Sequence, residues 1–253
     1  MCFDTDSVPP IFTQSVTSVR SKAMVLSSAD GSAFSAFFAR PEQPSGAGII
    51  VLPDMRGLYP FYEQLAVCLA EQGHAAIAMD YYGRTAGTGP REKDFPFMKH
   101  IFQVSRKNIG EDIMAATSYL RKADGASCHS IFALGFCFGG RQAFFASAAR
   151  FQLNGVIGFY GAPGFYPNGA AGPTQHAAEL SAPILAIFGG ADAGISAGDV
   201  AAFEEALTKA VVPHEMITYP NAPHSFFDIQ YQEHAGACKD AWQKVLDFIG
   251  DKK

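Results

Sequence analysis

The segment Gly135-Phe136-Cys137-Phe138-Gly139-Gly140 joins an apolar run, Ser130-Ile131-Phe132-Ala133-Leu134, to a stretch with helical patterning. A cysteine between two glycines at such a strand-to-helix junction is a nucleophile elbow with sulfur in the place of the usual serine hydroxyl. The turn is too tight for side chains at its flanking positions, which accounts for glycine at 135 and 139. It would present the sulfur at the mouth of a sheet, beside the exposed N–H groups of a new helix. That positive helix end favours thiolate over thiol. Taken alone, Cys137 reads equally well as a small buried residue in a glycine-rich turn.

An elbow nucleophile needs a base and a group to orient the base, in the chain order nucleophile, acid, histidine. Downstream, Phe188-Gly189-Gly190-Ala191-Asp192 places an acid just past a buried strand, and Tyr219-Pro220-Asn221-Ala222-Pro223-His224 places a histidine just past the next one. Asp192 would fix the imidazole tautomer, and His224 would take the thiol proton and pass it to the leaving group. A post-strand Asp is usually a helix cap and a loop His is usually solvated. It is the order of all three, each after a strand, that carries the reading. His74, His100, His129, His176, His214 and His234 have no comparable setting. Cys68 falls on an apolar helix stripe and Cys128 just before a strand, as packing residues do, and Cys2 and Cys238 are bystanders.

The elements that must hold these residues follow from hydrophobic period. Residues 15–28 and 32–39 read as two strands around Ala29-Asp30-Gly31, a hairpin turn. Gly48-Ile49-Ile50-Val51-Leu52 is an unbroken apolar run of the kind buried on both faces of a parallel sheet. From there strands and helices alternate. Phe61, Leu65, Cys68 and Leu69 form one stripe of a helix that stops at Gly73, and strands are expected at 75–79, 130–134, 155–159, 183–188 and 214–219. Further helices are expected at 105–122, from near Gly139, at 197–210 and at 235–249. An antiparallel entry hairpin followed by βα units predicts an α/β protein with one mainly parallel, doubly wound sheet and helices on both faces. We read residues 1–253 as a single domain with 1–14 as an N-terminal extension. The Gly/Pro-rich stretches 83–96 and 161–175 follow strand ends, where the ligand-binding loops of open α/β sheets lie.

Composition narrows the function classes. With 253 residues, 48% hydrophobic and 17% charged, the chain can bury a sizeable core. A net charge of -5 with no Lys/Arg cluster argues against a nucleic-acid surface. No run approaches the roughly 18 apolar residues of a membrane span. Asp4 and Asp6 stand where a signal peptide needs positive charge. A cytoplasmic location is therefore expected. Five scattered cysteines without a CxxC pair suggest neither a disulfide framework nor a metal site. No cofactor and no metal are expected. The partner would be a small molecule, and the protein a monomer or small homo-oligomer.

With these residues in place, the chain from about residue 15 to its end resembles the dienelactone hydrolase family of the α/β-hydrolase superfamily. The cysteine elbow distinguishes that family from its serine relatives, and Asp192 and Pro223-His224-Ser225-Phe226 match its acid and base motifs. The resemblance implies hydrolysis of an enol lactone or ester through an acyl-cysteine. It further implies a carboxylate after the third strand that interacts with the resting thiol; in Val51-Leu52-Pro53-Asp54-Met55-Arg56-Gly57 this is Asp54, where Glu is usual. The backbone N–H groups of Met55 and Phe138 would be the oxyanion donors. Asp80-Tyr81-Tyr82-Gly83-Arg84 looks like the segment bearing an arginine for the substrate carboxylate, which makes Arg84 that clamp. Tyr160 would line the pocket.

One departure stands out. The family's second arginine lies four residues after the histidine, and here that position is Asp228. A carboxylated lactone should bind less well, unless Arg56 or Arg141 substitutes. Alternatives stay open for Asp54 as a turn carboxylate paired with Arg56, for Arg84 as a surface ion pair and for Tyr160 as aromatic packing. The functional rivals are a carboxylesterase or thioesterase for small uncharged acyl groups on the same triad, and a thiol redox sensor or ligand-binding protein on a hydrolase scaffold.

Overall fold

The computed structural model describes residues 8–10, 14–166, 168–228 and 230–252. Most of the expected extension over 1–14, with Cys2, Asp4 and Asp6, lies outside them.

The chain enters through the expected hairpin. Strand β1 (Val19–Ser27) pairs antiparallel with β2 (Ala33–Pro41), from Val19 opposite Pro41 to Ser27 opposite Ala33. Asp30 Oδ1 accepts the Ser32 N–H at 2.9 Å, and Gly31 takes the positive φ the turn requires, +81°. There follow β3 (Ala47–Leu52), helix α1 (Pro60–Glu71) and β4 (Ala75–Met79). Pro60 suits the start of α1, whose N–H groups lack intrahelical partners, and Gly73 ends the connection at φ +86°. Two short helices, α2 (Gly83–Ala86) and α3 (Phe97–Ile101), occupy the stretch between β4 and α4 (Arg106–Arg121). They are too short to show a helical period in the sequence, so a loop was expected over 83–96.

The remainder alternates as predicted: β5 (Ser130–Phe136), α5 (Phe138–Ala146), β6 (Gly155–Phe159), β7 (Ile184–Gly189), α6 (Ala197–Lys209), β8 (His214–Tyr219) and α7 (Ala235–Asp251). A 3-10 run over Pro173–Glu179 interrupts the expected loop 161–175. Helices α4 and α6 start on Ser105 and Ser196, whose hydroxyls accept the N–H groups of Asn108 and Asp199 at 3.1 Å. Among the described residues no helix is long and apolar enough to cross a membrane.

The strands form one eight-stranded sheet in the order β1-β2-β4-β3-β5-β6-β7-β8, with β3 to β8 mutually parallel. Every residue of β3, β4, β5, β6 and β7 is buried. Successive strand residues point to opposite faces, so burial without alternation requires cover on both sides, as in a doubly wound sheet. The chain leaves β3 toward β4 and leaves β5 toward β6, so neighbouring β3 and β5 diverge at their C-terminal ends. That crevice is where open α/β sheets bind ligands. Leu52 pairs with Gly135 across it, placing Asp54 and Cys137 two residues past a matched pair.

Candidate active site

Cys137 stands between β5 and α5 with φ +54° and ψ −114°, a region that side-chain-bearing residues seldom occupy. Tight backbone contacts hold it there. A Cβ on Gly135 would lie 2.1 Å from the Gly139 carbonyl oxygen, and one on Gly139 would lie 2.1 Å from Leu52 O and 2.3 Å from Pro53 O. The Cys137 N–H donates to Phe159 O at 3.0 Å, and its carbonyl accepts from Arg141 N at 3.1 Å. The sulfur is half-buried, and among the described residues nothing hydrogen-bonds to it. The other described cysteines are ill suited to nucleophilic work: burial pushes the thiol of Cys128 up to about 11 and those of Cys68 and Cys238 up to about 12.

The expected acid and base meet. His224 Nδ1 and Asp192 Oδ2 are 2.6 Å apart, with the carboxylate side chain 1% exposed and the imidazole 35% exposed. The other carboxylate oxygen accepts the Gly194 N–H at 2.7 Å, which fixes the plane of the acid. Tyr160 packs its ring on His224 with centroids 4.9 Å apart. It is fully buried, takes φ +39°, and donates its hydroxyl to Asp228 Oδ2 at 3.3 Å. Asp228 is thus turned inward, its carboxylate 2% exposed as a residue and engaged with the tyrosine. Sequence alone offered Tyr160 as a pocket residue or as packing; its ring lies against His224.

Asp54 is buried at the end of β3, where it organises its own turn. Its Oδ1 accepts the Arg56 N–H at 2.8 Å, its carbonyl accepts from Gly57 N at 3.2 Å, and Arg56 Nε lies 3.6 Å from Oδ2. The expected carboxylate-to-thiol contact is therefore not formed, and Asp54 serves here as a turn carboxylate paired with Arg56. Tyr81 spans the crevice. Its hydroxyl donates to Pro53 O at 2.7 Å and its ring meets Phe138 edge-on at 5.3 Å. Its phenol is pushed well above the usual tyrosine range, by burial first and then by Tyr82, Asp54, Asp80 and Cys137. Among the described residues, the N–H groups of Met55 and Phe138 have no hydrogen-bond partner, as oxyanion donors require.

Arg84 does not reach into this crevice. Its guanidinium lies 3.0 Å from Asp30, 2.8 Å from Asp112 and 3.6 Å from Glu111, and Ser28 donates to the other oxygen of Asp112. Burial works against its charge, but the bonds to Asp112 and Asp30 hold its pKa above the ordinary arginine value. The same contact holds Asp30 well below the usual carboxylate range, whereas burial, opposed by Arg84 and Ser28, raises that of Asp112. Arg84 thus ties the entry hairpin to α4, and its fork is engaged by three acids from two segments, as the ion-pair alternative for this residue expects.

A second ion pair was missed in the sequence. Arg91 Nη2 lies 2.8 Å from Asp80 Oδ2 and 2.6 Å from Gly87 O, with its guanidinium 4.8 Å from the centre of the Phe95 ring. Asp80 also accepts the N–H groups of Leu58 and Tyr82 at 3.2 and 2.8 Å. This buried carboxylate pins the loop carrying Met55 to the end of β4. Its one sequence signal was an acid directly after a fully apolar strand.

Arg84→Met leaves the buried Asp112 without its cation, which costs about 3 kcal/mol for a broken buried pair. A chemical-denaturation midpoint should fall accordingly, while KM values for carboxylated and neutral esters should move together. A rise confined to the carboxylated ester would return Arg84 to the pocket.

The family model of the dienelactone hydrolase family matches residues 34–252. A carboxymethylenebutenolidase of Rhodococcus opacus is 30% identical over 221 residues, 83% of each chain. An Escherichia coli K12 protein provisionally given that name is 30% identical over 228 residues, 86% of this chain and 83% of its own. Among solved structures, a Klebsiella pneumoniae protein provisionally named a dienelactone hydrolase superposes with a TM-score of 0.80 at 27% identity, covering 92% of this chain and 99% of its own. The elbow, the Asp192–His224 pair and the parallel strands β3 to β8 that carry them therefore lie within the matched length, and the chain belongs to the dienelactone hydrolase family of hydrolases.

Proposed function

We propose that the protein hydrolyses an enol lactone or similarly activated ester through an acyl-cysteine on Cys137, with His224 shuttling protons and Asp192 orienting the imidazole. The observation that carries this reading is the 2.6 Å bond between Asp192 and His224, at the same sheet edge as a cysteine held on a glycine-flanked elbow.

In this mechanism the thiol first turns toward His224, a side-chain rotation of the nanosecond class. His224 Nε2 takes the thiol proton as sulfur attacks the carbonyl carbon, and the charge that develops on oxygen falls to the N–H groups of Met55 and Phe138. The intermediate collapses, the C–O bond to the leaving group breaks, and His224 returns its proton to that oxygen. A water then gives a proton to His224 and its oxygen attacks the thioester, releasing the acid and regenerating the thiol. A thiolate is itself a good leaving group, so forward collapse needs an oxygen leaving group of comparable stability. Enolates and phenolates meet that need; simple alkoxides do not.

Two observations favour a second reading for substrate choice, small uncharged esters on the same triad. Arg84 is engaged by Asp30, Asp112 and Glu111, and Asp228 holds the position where the resemblance expects a second arginine. A carboxylated dienelactone and a neutral p-nitrophenyl ester, assayed side by side, separate the two. A large preference for the lactone supports the first reading, and a large preference for the neutral ester the second.

Cys137→Ala should lower kcat/KM by at least roughly 10³-fold on whichever substrate is turned over. Retention of more than a few percent of activity would remove Cys137 from the role of nucleophile. The profile of kcat/KM against pH should fall on the acid side as His224 takes a proton and can no longer accept one from sulfur. A rate that stays flat from about pH 5 to 8 would argue against histidine as the base.

A further inference from the structure

Arg141 is a buried cation to which the described residues bring no acid. It lies in the first turn of α5, 3% exposed, and forms no ion pair with a described carboxylate. Its Nη1 donates to Ala162 O at 2.6 Å, and its guanidinium carbon stacks 3.5 Å from the centre of the Tyr166 ring. Tyr166 is held in turn: its N–H donates to Ala170 O at 2.8 Å, and its hydroxyl accepts from Gln142 Nε2 at 3.4 Å. Burial pulls the Arg141 pKa down, opposed only by Tyr166.

The two nitrogens that remain, Nε and Nη2, are both buried and without a hydrogen-bond partner. They form one edge of the guanidinium plane, with parallel N–H bonds whose spacing matches the two oxygens of a carboxylate. Beside that edge residue 172 is glycine: a Cβ there would lie 1.9 Å from Gly164 O and 2.4 Å from Pro163 O, and 2.7 Å from Nη2, so backbone rather than a side chain lies next to the fork. Next along the chain, Thr174 donates its N–H to Pro163 O at 3.0 Å, the same carbonyl that Gly172 packs against. The Thr174 hydroxyl is likewise buried and unpartnered. Buried charges in folded proteins are paired or bound to a ligand, and buried hydroxyls are hydrogen-bonded. Here a charge-bearing fork and a hydroxyl donor lack partners beneath one loop.

We propose that Arg141 and Thr174 form a binding site for a small carboxylate anion under the connection from β6 to β7, held side-on by Nε and Nη2 with the Thr174 hydroxyl as a further donor. The connection begins at Tyr160, which packs on His224, so an occupied site stiffens a segment in contact with the base. The proposal does not rest on the hydrolytic reading, since binding needs no turnover.

The test compares melting midpoints of the full chain in sodium acetate and in sodium chloride at equal pH and ionic strength. The wild-type midpoint should rise by several degrees with acetate over chloride, by mass action on the folded state. Arg141→Met should lose that difference, and Thr174→Val should need a several-fold higher acetate concentration for half the effect. Equal wild-type midpoints in the two salts would overturn the proposal, as would a full acetate response in Arg141→Met. Should Arg141→Met fail to fold, Thr174→Val decides, and an unchanged acetate dependence in that variant counts as refutation. Inhibition of p-nitrophenyl butyrate hydrolysis then distinguishes the source of the carboxylate. Competitive inhibition lost in Thr174→Val assigns the site to the acid group of substrate or product, whereas an effect on kcat alone assigns it to a separate carboxylate ligand.

Discussion

The site depends on one close approach of backbone to backbone, that of Gly139 on the carbonyls of Leu52 and Pro53. Any side chain at 139 would occupy the space those oxygens fill, so α5 could not begin where it does. The helix start would move away from the end of β3, taking Phe138 N away from Met55 N. Cys137 would also lose the packing that keeps it at a positive φ. On the other flank, Gly140 and Gly161 permit a similar contact, a Cβ on Gly140 lying 2.6 Å from Phe159 O. This second approach carries the end of β6, and with it Tyr160, toward the base. Three strand ends thus converge because glycines allow backbones to touch, and the chemistry is distributed over those ends.

What the sequence made legible was local. The strands at 75–79 and 155–159 have the residues their apolar runs predicted, and Ser105 and Gly73 marked helix limits by capping and turn chemistry that acts within a few residues. The elbow was legible for the same reason, since its glycines are demanded by steric contacts whose sequence signature spans five positions. The pairing of His224 with Asp192 could be anticipated from chain order and strand ends. Arg84 could not. Its partners Asp30 and Asp112 lie 54 and 28 residues away in the chain, and nothing in a linear pattern says which of several acids a guanidinium will meet. The same holds for Arg91 and Asp80, whereas the pairing of Asp54 with Arg56, two residues on, was among the readings the sequence left open. Long-range ion pairs such as those of Arg84 are a product of the fold, and a linear pattern does not show them.

Those ion pairs also bear on substrate choice. Near the C-terminal edge of the sheet, Arg56, Arg84 and Arg91 each face a carboxylate, at 3.6, 2.8 and 2.8 Å respectively. A paired arginine offers an incoming anion little, because part of its field is cancelled and its donors are already used. The formal charge of -5 therefore understates how little free cation the catalytic edge presents. The contrast with Arg141 is one of placement: it is buried on α5 beneath the β6–β7 connection, and it keeps an unused edge.

Asp228 is linked to His224 through Tyr160. A buried carboxylate accepts the phenol's hydrogen bond, and the phenol's ring lies against the imidazole that Asp192 also engages, so the acid stands one ring away from His224. In the proposed reaction the histidine becomes cationic as the thiol loses its proton, and in a partly buried setting a nearby anion favours that cation. An arginine in the same place would disfavour it while attracting an anionic substrate. Replacing cation by anion there thus trades attraction for a carboxylated substrate against stabilisation of the thiolate–imidazolium pair.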